Sequence, residues 1–291
     1  MYPFLRRTIL LSLLLIPFLS GAQTRIFRGL VTDEANKAIP FAAIQVKGAA
    51  EGGYCDEEGN FRLSVKSADA KELTFFCVGY QPVDMAMADM AGKEIHVVLK
   101  EKYNQLDEVA ITAKATKKTG KSKILGESGL TCEGQAYMNV GTEYGIYLRQ
   151  GNAIGGTLEA VYIYITNLGI PDSRFRIHVY DADGRTHLAG EDITGGNVIV
   201  HAAKGNEWVR IDVSDKNIPI KGGIIVSMEW IATHGNDNTI QKKGVMNYQG
   251  AVMGLTTSYG QMHKFVRFPF ENRQASNAEW LVPMIYCTYK K

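Results

Sequence analysis

Cysteine is scarce and unpatterned in this chain: the four residues Cys55, Cys77, Cys132 and Cys287 include no pair at C-x-x-C spacing. Zinc-ribbon and thioredoxin-like readings therefore find no support. Pairing stays open, because an oxidising compartment permits three connectivities without enforcing any, and reduced, half-buried thiols fit equally. An excess of one charge is also missing. The formal charge of +2 rests on Arg6 and Arg7 within the first 22 residues, so the rest of the chain is neutral. No basic field points to nucleic acid. Catalytic signatures are absent as well: there is no G-x-S-x-G, no H-E-x-x-H and no glycine-rich phosphate loop, and the six histidines lie scattered. No catalytic residue, metal ligand or cofactor is assigned. "THGNDN" (residues 233–238, with His234 and Asp237) and "DADG" (181–184) read as polar turns rather than metal sites.

Long apolar runs are confined to the N-terminus. Ile9–Leu19 follows two arginines and precedes Ser20, Gly21 and Ala22, the small residues a signal peptidase reads. Residues 1–22 are expected to be a signal peptide cleaved before Gln23. The run is shorter than the ~20 residues of a membrane-spanning helix, and the mature chain offers no second one. The expected destination is the periplasm, the outer-membrane periphery or the cell surface.

What is abundant is the material of β-structure: 45% hydrophobic residues, 30 glycines and 14 tyrosines in 291 residues. From Arg25 to about Thr112 the dry positions alternate. Ile44 and Val46 alternate with Gln45 and Lys47; Leu73, Phe75 and Cys77 alternate with Thr74 and Phe76; Ile95, Val97 and Leu99 alternate with His96 and Lys100. Turn residues separate these runs at sandwich-like intervals. His96 then points to solvent. "CDEEGNF" (55–61) clusters three carboxylates ahead of a strand in which Phe61, Leu63 and Val65 are dry. A calcium loop would need a carboxylate at the twelfth position from Asp56, where Ser67 stands, so the stretch reads as a tight turn with Glu57 and Glu58 in water.

The blocks "FRGLVTDEANKAIPFAAIQVKG", "GGYCDEEGNFRLSV", "LTFFCVGYQ", "IHVVLKE" and "LDEVAIT" resemble, in order and spacing, the carboxypeptidase-like regulatory domain of bacterial envelope proteins. That resemblance implies a non-catalytic, transthyretin-like seven-stranded β-sandwich over residues 23–112, with Cys55 where a threonine or serine is usual. In many relatives the domain precedes the plug and barrel of a TonB-dependent transporter. Only about 180 residues follow Thr112, without regular pairs of amphipathic membrane strands, so transport is not expected.

"AKATKKTGKSK" carries five lysines and reads as a linker, residues 113–124, ahead of a second β-sandwich or jelly-roll domain over 125–291. There, "TLEAVYIYIT" and "RFRIHVY" alternate, and pairing them as a hairpin with Ile165 opposite Phe175 would set Tyr164 against Arg176 and Tyr162 against His178. "EWVRIDV" and "GGIIVSMEWI" add Ile211, Val213, Val226, Met228 and Trp230 to dry faces. The order of these segments is similar to a module of uncharacterised exported bacterial proteins and, more loosely, to jelly rolls of adhesins and carbohydrate-binding modules.

Tyr162, Tyr164, Arg176, His178 and Trp208 are the candidate ligand-binding residues: rings stack on sugar C–H faces while charged groups take hydroxyls. Against this stands an internal role, with Arg176 pairing with Glu229 on a neighbouring strand. The chain is thus expected to be an all-β, exported, non-catalytic binding or assembly module of the bacterial envelope, partnered by an envelope protein or a glycan. A glycan-binding accessory protein is one alternative. A hydrolase built on the loops of residues 232–279, around His234 or His263, is the other.

Overall fold

The computed structural model describes residues 24–102, 121–137, 140–149, 155–231, 250–257, 262–268, 270, 273–278 and 280–291. In the first half the alternating segments form β1 (Arg25–Thr32), β2 (Ala43–Val46), β3 (Gly52–Tyr54), β4 (Asn60–Val65), β5 (Glu72–Phe76), β6 (Val83–Ala86) and β7 (Glu94–Val98). A single-turn helix, Met87–Met90, follows β6. The strands divide into sheets of order β4-β1-β7 and β3-β2-β5-β6. Strand β1 runs antiparallel to β4 and parallel to β7. Each sheet turns its alternate residues inward, so Phe27, Val31, Phe61, Leu63 and Val97 meet Ile44, Val46, Leu73 and Phe75 in one core. Seven strands in two layers is the sandwich that the sequence resemblance implied.

The acidic stretch before β4 is a turn. Asp56 accepts hydrogen bonds from the amides of Glu58 (3.1 Å) and Asn60 (2.8 Å), while Gly59 takes φ +78°. A Cβ at Gly59 would lie 2.6 Å from the Val31 carbonyl, so both the angle and the close approach require glycine. Phe61 is buried, edge-on to Phe75 at 5.3 Å. Glu57 and Glu58 are exposed as expected, and Glu57 in addition pairs with Arg174 of the second half at 2.5 Å.

The second half contains β8 (Lys123–Gly126), β9 (Gly134–Ala136), β10 (Glu143–Arg149), β11 (Thr157–Gly169), β12 (Phe175–Ala182), β13 (Ala189–Asp192) and β14 (Val198–Val200). It continues with β15 (Glu207–Asp212), β16 (Gly223–Trp230), β17 (Ala251–Thr257), β18 (His263–Phe268), β19 (Arg273–Ala278), β20 (Leu281–Pro283) and β21 (Ile285–Lys290). One sheet has the order β13-β12-β16-β10-β18-β19 with β14 on β12; the other has the order β20-β17-β11-β21-β8 with β15 on β11 and β9 on β17. Ile177, Val179, Val226, Met228 and Trp230 from the first close on Val161, Ile163, Ile165, Ile211 and Met253 from the second.

Strands β11 and β12 therefore do not form a hairpin. They lie in opposite sheets: Ile165 sits across from Glu207 and Met253, and Phe175 across from Trp230 and Val200. Alternation had identified the dry face of each strand, but two strands facing one core from opposite sides show the same alternation as two neighbours. Two boundaries also move. Lys123 and Ile124, expected in the linker, already pair with β21. The region 232–279, expected as long loops, carries β17, β18 and β19, whereas residues 232–249, including His234 and Asp237, lie outside the described residues. All four cysteines are free thiols; Cys55, Cys77 and Cys287 are buried and Cys132 is exposed.

Candidate functional site

Strand β12 points Phe175, Ile177 and Val179 into the core and so must point Arg176, His178 and Tyr180 out of it. Outward is not solvent, because the first domain covers this end of the sheet. Arg176 and His178 are only 2% and 5% exposed. Buried charge demands partners, and they are present. Glu229, across from Arg176 on β16, accepts hydrogen bonds from Arg176 Nη1 (2.8 Å), from His178 Nε2 (2.9 Å) and from the Tyr54 hydroxyl of the first domain. His178 Nδ1 meets Asp192 Oδ2 at 2.6 Å. Arg176 Nε donates to Asn197 Oδ1 (2.7 Å), and its Nη2 donates to the Phe41 carbonyl (2.5 Å). Asn197 in turn donates to the Pro40 carbonyl at 3.1 Å. A second carboxylate, Glu143 on β10, accepts from Tyr180 (2.8 Å) and Ser227 (2.9 Å).

The electrostatics follow from this layout. Burial alone would lower the His178 pKa, but the Glu143 charge and the hydrogen bonds to Asp192 and Glu229 outweigh it and lift the value to about 10. His178 is thus an imidazolium at neutral pH. For Glu229 burial pulls upward, yet Arg176 and His178 hold it at about 2. Asp192 is held below its usual value despite burial by the bonds from His178 and Thr194, whereas burial prevails at Glu143 and raises it. Among the described residues Arg176, His178 and Glu229 are bonded to one another, to Asn197 and Asp192, and to Phe41 and Tyr54 of the first domain. The arrangement is a lock between two domains.

An aromatic peg supports the lock. Phe270 stacks edge-on to Tyr54 at 5.7 Å, and its carbonyl accepts from Gln45 at 3.1 Å. Its ring lies so close to Gly52 and Gly141 that a Cβ at either would come within 2.5 Å of it.

The remaining sequence candidates gather on the outer face of the opposite sheet. Tyr162 lies across from Tyr286 on β21, their rings parallel within 5° at 4.4 Å. Tyr164 lies across from Trp208 on β15, edge-on at 5.5 Å, and Trp208 is edge-on to Tyr286 at 5.0 Å. Arg210 bridges the Tyr162 hydroxyl (3.2 Å) and Asp212 (2.9 Å). Tyr162, Tyr164 and Trp208 thus come together as expected of one face, half-buried in a four-ring cluster. Arg176 and His178 do not join them. They lie on the other sheet, and the Arg176–Glu229 pairing weighed in the sequence is the one formed. Sequence reasoning missed Tyr286, Tyr54, Asp192 and Glu143. Glu229 alone carried a signal: a single carboxylate inside the otherwise apolar run of β16 calls for a buried cation.

Residues 27–111, which make up most of the first sandwich, match the family model of the CarboxypepD_reg-like domain. Among curated proteins, the TonB-dependent receptor SusC of Bacteroides thetaiotaomicron is 34% identical over 90 residues, 31% of this chain and 8% of the receptor. TonB-dependent receptor P3 of Formosa agariphila is 30% identical over 178 residues, 60% of this chain and 16% of the receptor. The chain spans less than a fifth of the length of either relative. Among solved structures, the major pilin subunit of Bacillus cereus is 11% identical with a TM-score of 0.20, covering 90% of this chain and 69% of that one. A carbohydrate-binding module of the β-sandwich superfamily is 10% identical with a TM-score of 0.19, covering 81% and 97%. Superpositions this loose carry no argument. No helix among the described residues is long and apolar enough to cross a membrane.

Proposed function

We propose that this chain is an exported, non-catalytic binding or assembly module of a bacterial envelope, and that its ligand face is the strip of Tyr162, Tyr164, Trp208 and Tyr286. The observation carrying this reading is the contrast between the two outer faces of the second domain. One is consumed by the first domain through buried charge, while the other holds four partly exposed rings flanked by Arg210 and Asp212. Rings that retain hydroxyl and N–H edges beside a charged pair suit a protein or glycan surface that is part apolar and part hydrogen-bonding. The resemblance of the first domain to TonB-dependent receptors supports an envelope location.

A photo-reactive amino acid placed at Trp208 in cells is expected to yield a discrete, heavier adduct that the same group at Ile26, exposed on the first domain, does not. Equal labelling from both positions would refute the assigned face. Intact-mass analysis of the purified chain is expected to begin at Gln23; retention of residues 1–22 would refute export by cleavage.

The glycan alternative is favoured by one feature, the Arg210–Asp212 pair beside Tyr162, which offers both donors and acceptors to sugar hydroxyls. Soluble envelope polysaccharide should then change tryptophan fluorescence in the native chain and not in Trp208→Phe.

A further inference from the structure

In the first sandwich, β7 joins its neighbour late. Strand β1 pairs with β4 from Arg25 onward, Arg25 lying opposite Val65, but with β7 only from Arg28 onward, Arg28 lying opposite Glu94. Over Arg25–Phe27 it has a strand on one side and, among the described residues, none on the other. A cleft of about 610 Å³ lies there, between the start of β1 and the segments 70–71 and 86–92. Arg25, Ile26 and Phe27 all line it. Successive side chains of a strand point to opposite faces, so a space that touches three in a row runs along the strand's edge, where the amides and carbonyls are. Because β4 holds the opposite edge, the edge facing the cleft is the unpaired one.

The walls are tied in place, so the cleft is formed before anything enters it. Arg25 Nη2 donates to the carbonyls of Ser67 (2.7 Å) and Ala70 (2.9 Å), and the Met87 amide donates to the Lys71 carbonyl at 2.8 Å. Phe27, Ala70 and Met87 belong to the core and give the cleft an apolar floor. Ala88 is exposed at its rim, and a Cβ at Gly92 would meet nothing within 4 Å, so the mouth is open. The charged side chains lining it are Arg25 and Lys71, both cationic; among the described residues no carboxylate joins them. An unpaired strand edge is matched by the main chain of an extended peptide, an apolar floor by an aliphatic side chain, and an ammonium by a carboxylate. Three open positions span only ~10 Å before β7 closes the edge, which suits an oligopeptide and not a long strand.

We propose that this cleft binds a short acidic oligopeptide as an added strand on the free edge of β1, with an aliphatic side chain set on Phe27 and Met87 and a carboxylate on Lys71. The site belongs to the first domain and is independent of the aromatic strip. A ligand this short adds little mass, so a photo-reactive group at Ile26 gains no heavy adduct from it.

The test titrates the full mature chain into carboxyfluorescein-labelled Val-Glu-Val-Glu-Val and follows fluorescence polarisation. Saturable binding is expected, and the same peptide methylated at its amides should bind at least tenfold more weakly, because it cannot donate to the open edge. Val-Lys-Val-Lys-Val should also bind at least tenfold more weakly, and Lys71→Glu should reverse that preference. Ala88→Trp places a large ring at the exposed rim without touching the core and should weaken binding at least tenfold, whereas Trp208→Phe should leave it unchanged. Circular dichroism establishes that each variant is folded, and hydrogen exchange over residues 24–28 should slow when the peptide is added. Absence of saturable binding, equal affinity for the methylated peptide, or affinity unchanged in Ala88→Trp would overturn the proposal. Binding lost in Trp208→Phe but kept in Ala88→Trp would also overturn it, by moving the peptide to the aromatic strip.

Discussion

His178 should make the stability of this protein depend on pH in a direction opposite to that of a buried neutral histidine. Its folded pKa, about 10, stands above the unfolded value of 6.5. A group raised in this way contributes stability that is complete below the unfolded value and is lost as pH rises through the folded one. The interval is about 3.5 pH units, and at about 1.36 kcal/mol per unit the loss comes to about 5 kcal/mol between pH 6.5 and 10. The groups facing the ring are Asp192, Glu229, Glu143, Arg176, Tyr54 and Tyr180. Arg176 stays charged and the two phenols are pushed well above their usual range, so none of these three titrates first. The assay is urea unfolding followed by tryptophan fluorescence, with Trp230 in the core as reporter, at intervals from pH 6.5 to 10. Other groups add their own slope, which His178→Gln separates: glutamine preserves hydrogen bonding but carries no proton to lose. Wild type should fall by about 3–5 kcal/mol more than the variant over this range. Parallel profiles would refute the imidazolium assignment and with it the charge balance of the lock.

Two further outcomes are expected. Phe61→Ala should cost about 3–5 kcal/mol as a large core truncation, whereas Glu57→Gln, which removes only a half-exposed pair with Arg174, should cost about 0–1 kcal/mol; thermal unfolding with and without calcium would refute the turn reading if the ion shifted the transition and the carboxylate variant removed that shift. Trypsin should cut first between Ala113 and Lys123, and the nicked fragments should co-elute in wild type but separate once Glu229→Ala strands Arg176 and His178 without their shared carboxylate, a loss of about 3–5 kcal/mol; separation in wild type would mean the lock does not hold.

How much of this was legible from sequence depends on what kind of information each feature carries. Ile44, Phe75 and Val97 were recognisable as core because alternation is a local pattern, and the turn at Asp56–Asn60 was recognisable because aspartate and glycine act within a few residues. The aromatic strip was three-quarters visible: Tyr162, Tyr164 and Trp208 were named, but Tyr286 is supplied by a strand more than a hundred residues away. The placement of Arg176 and His178 depended on strand neighbours and on which face a separate domain covers. Neither is encoded in the segment that bears those residues. Period two assigned them to an outer face, and the sandwich then made that face an inside.

Two contacts of the lock, from Arg176 and from Asn197, end on main-chain carbonyls of the first domain, at Phe41 and Pro40. The Phe41 carbonyl is presented by a left-handed residue, φ +54°, so what the second domain reads there is a bend in the chain and not a side-chain identity. Such reading tolerates sequence drift. The two bonds themselves depend on the bend and not on the side chains at 40 and 41, although the Phe41 ring is buried in its own right. A front domain seated here must besides bring a hydroxyl where Tyr54 stands and a strand bare enough, as at Gly52, to admit the ring of Phe270.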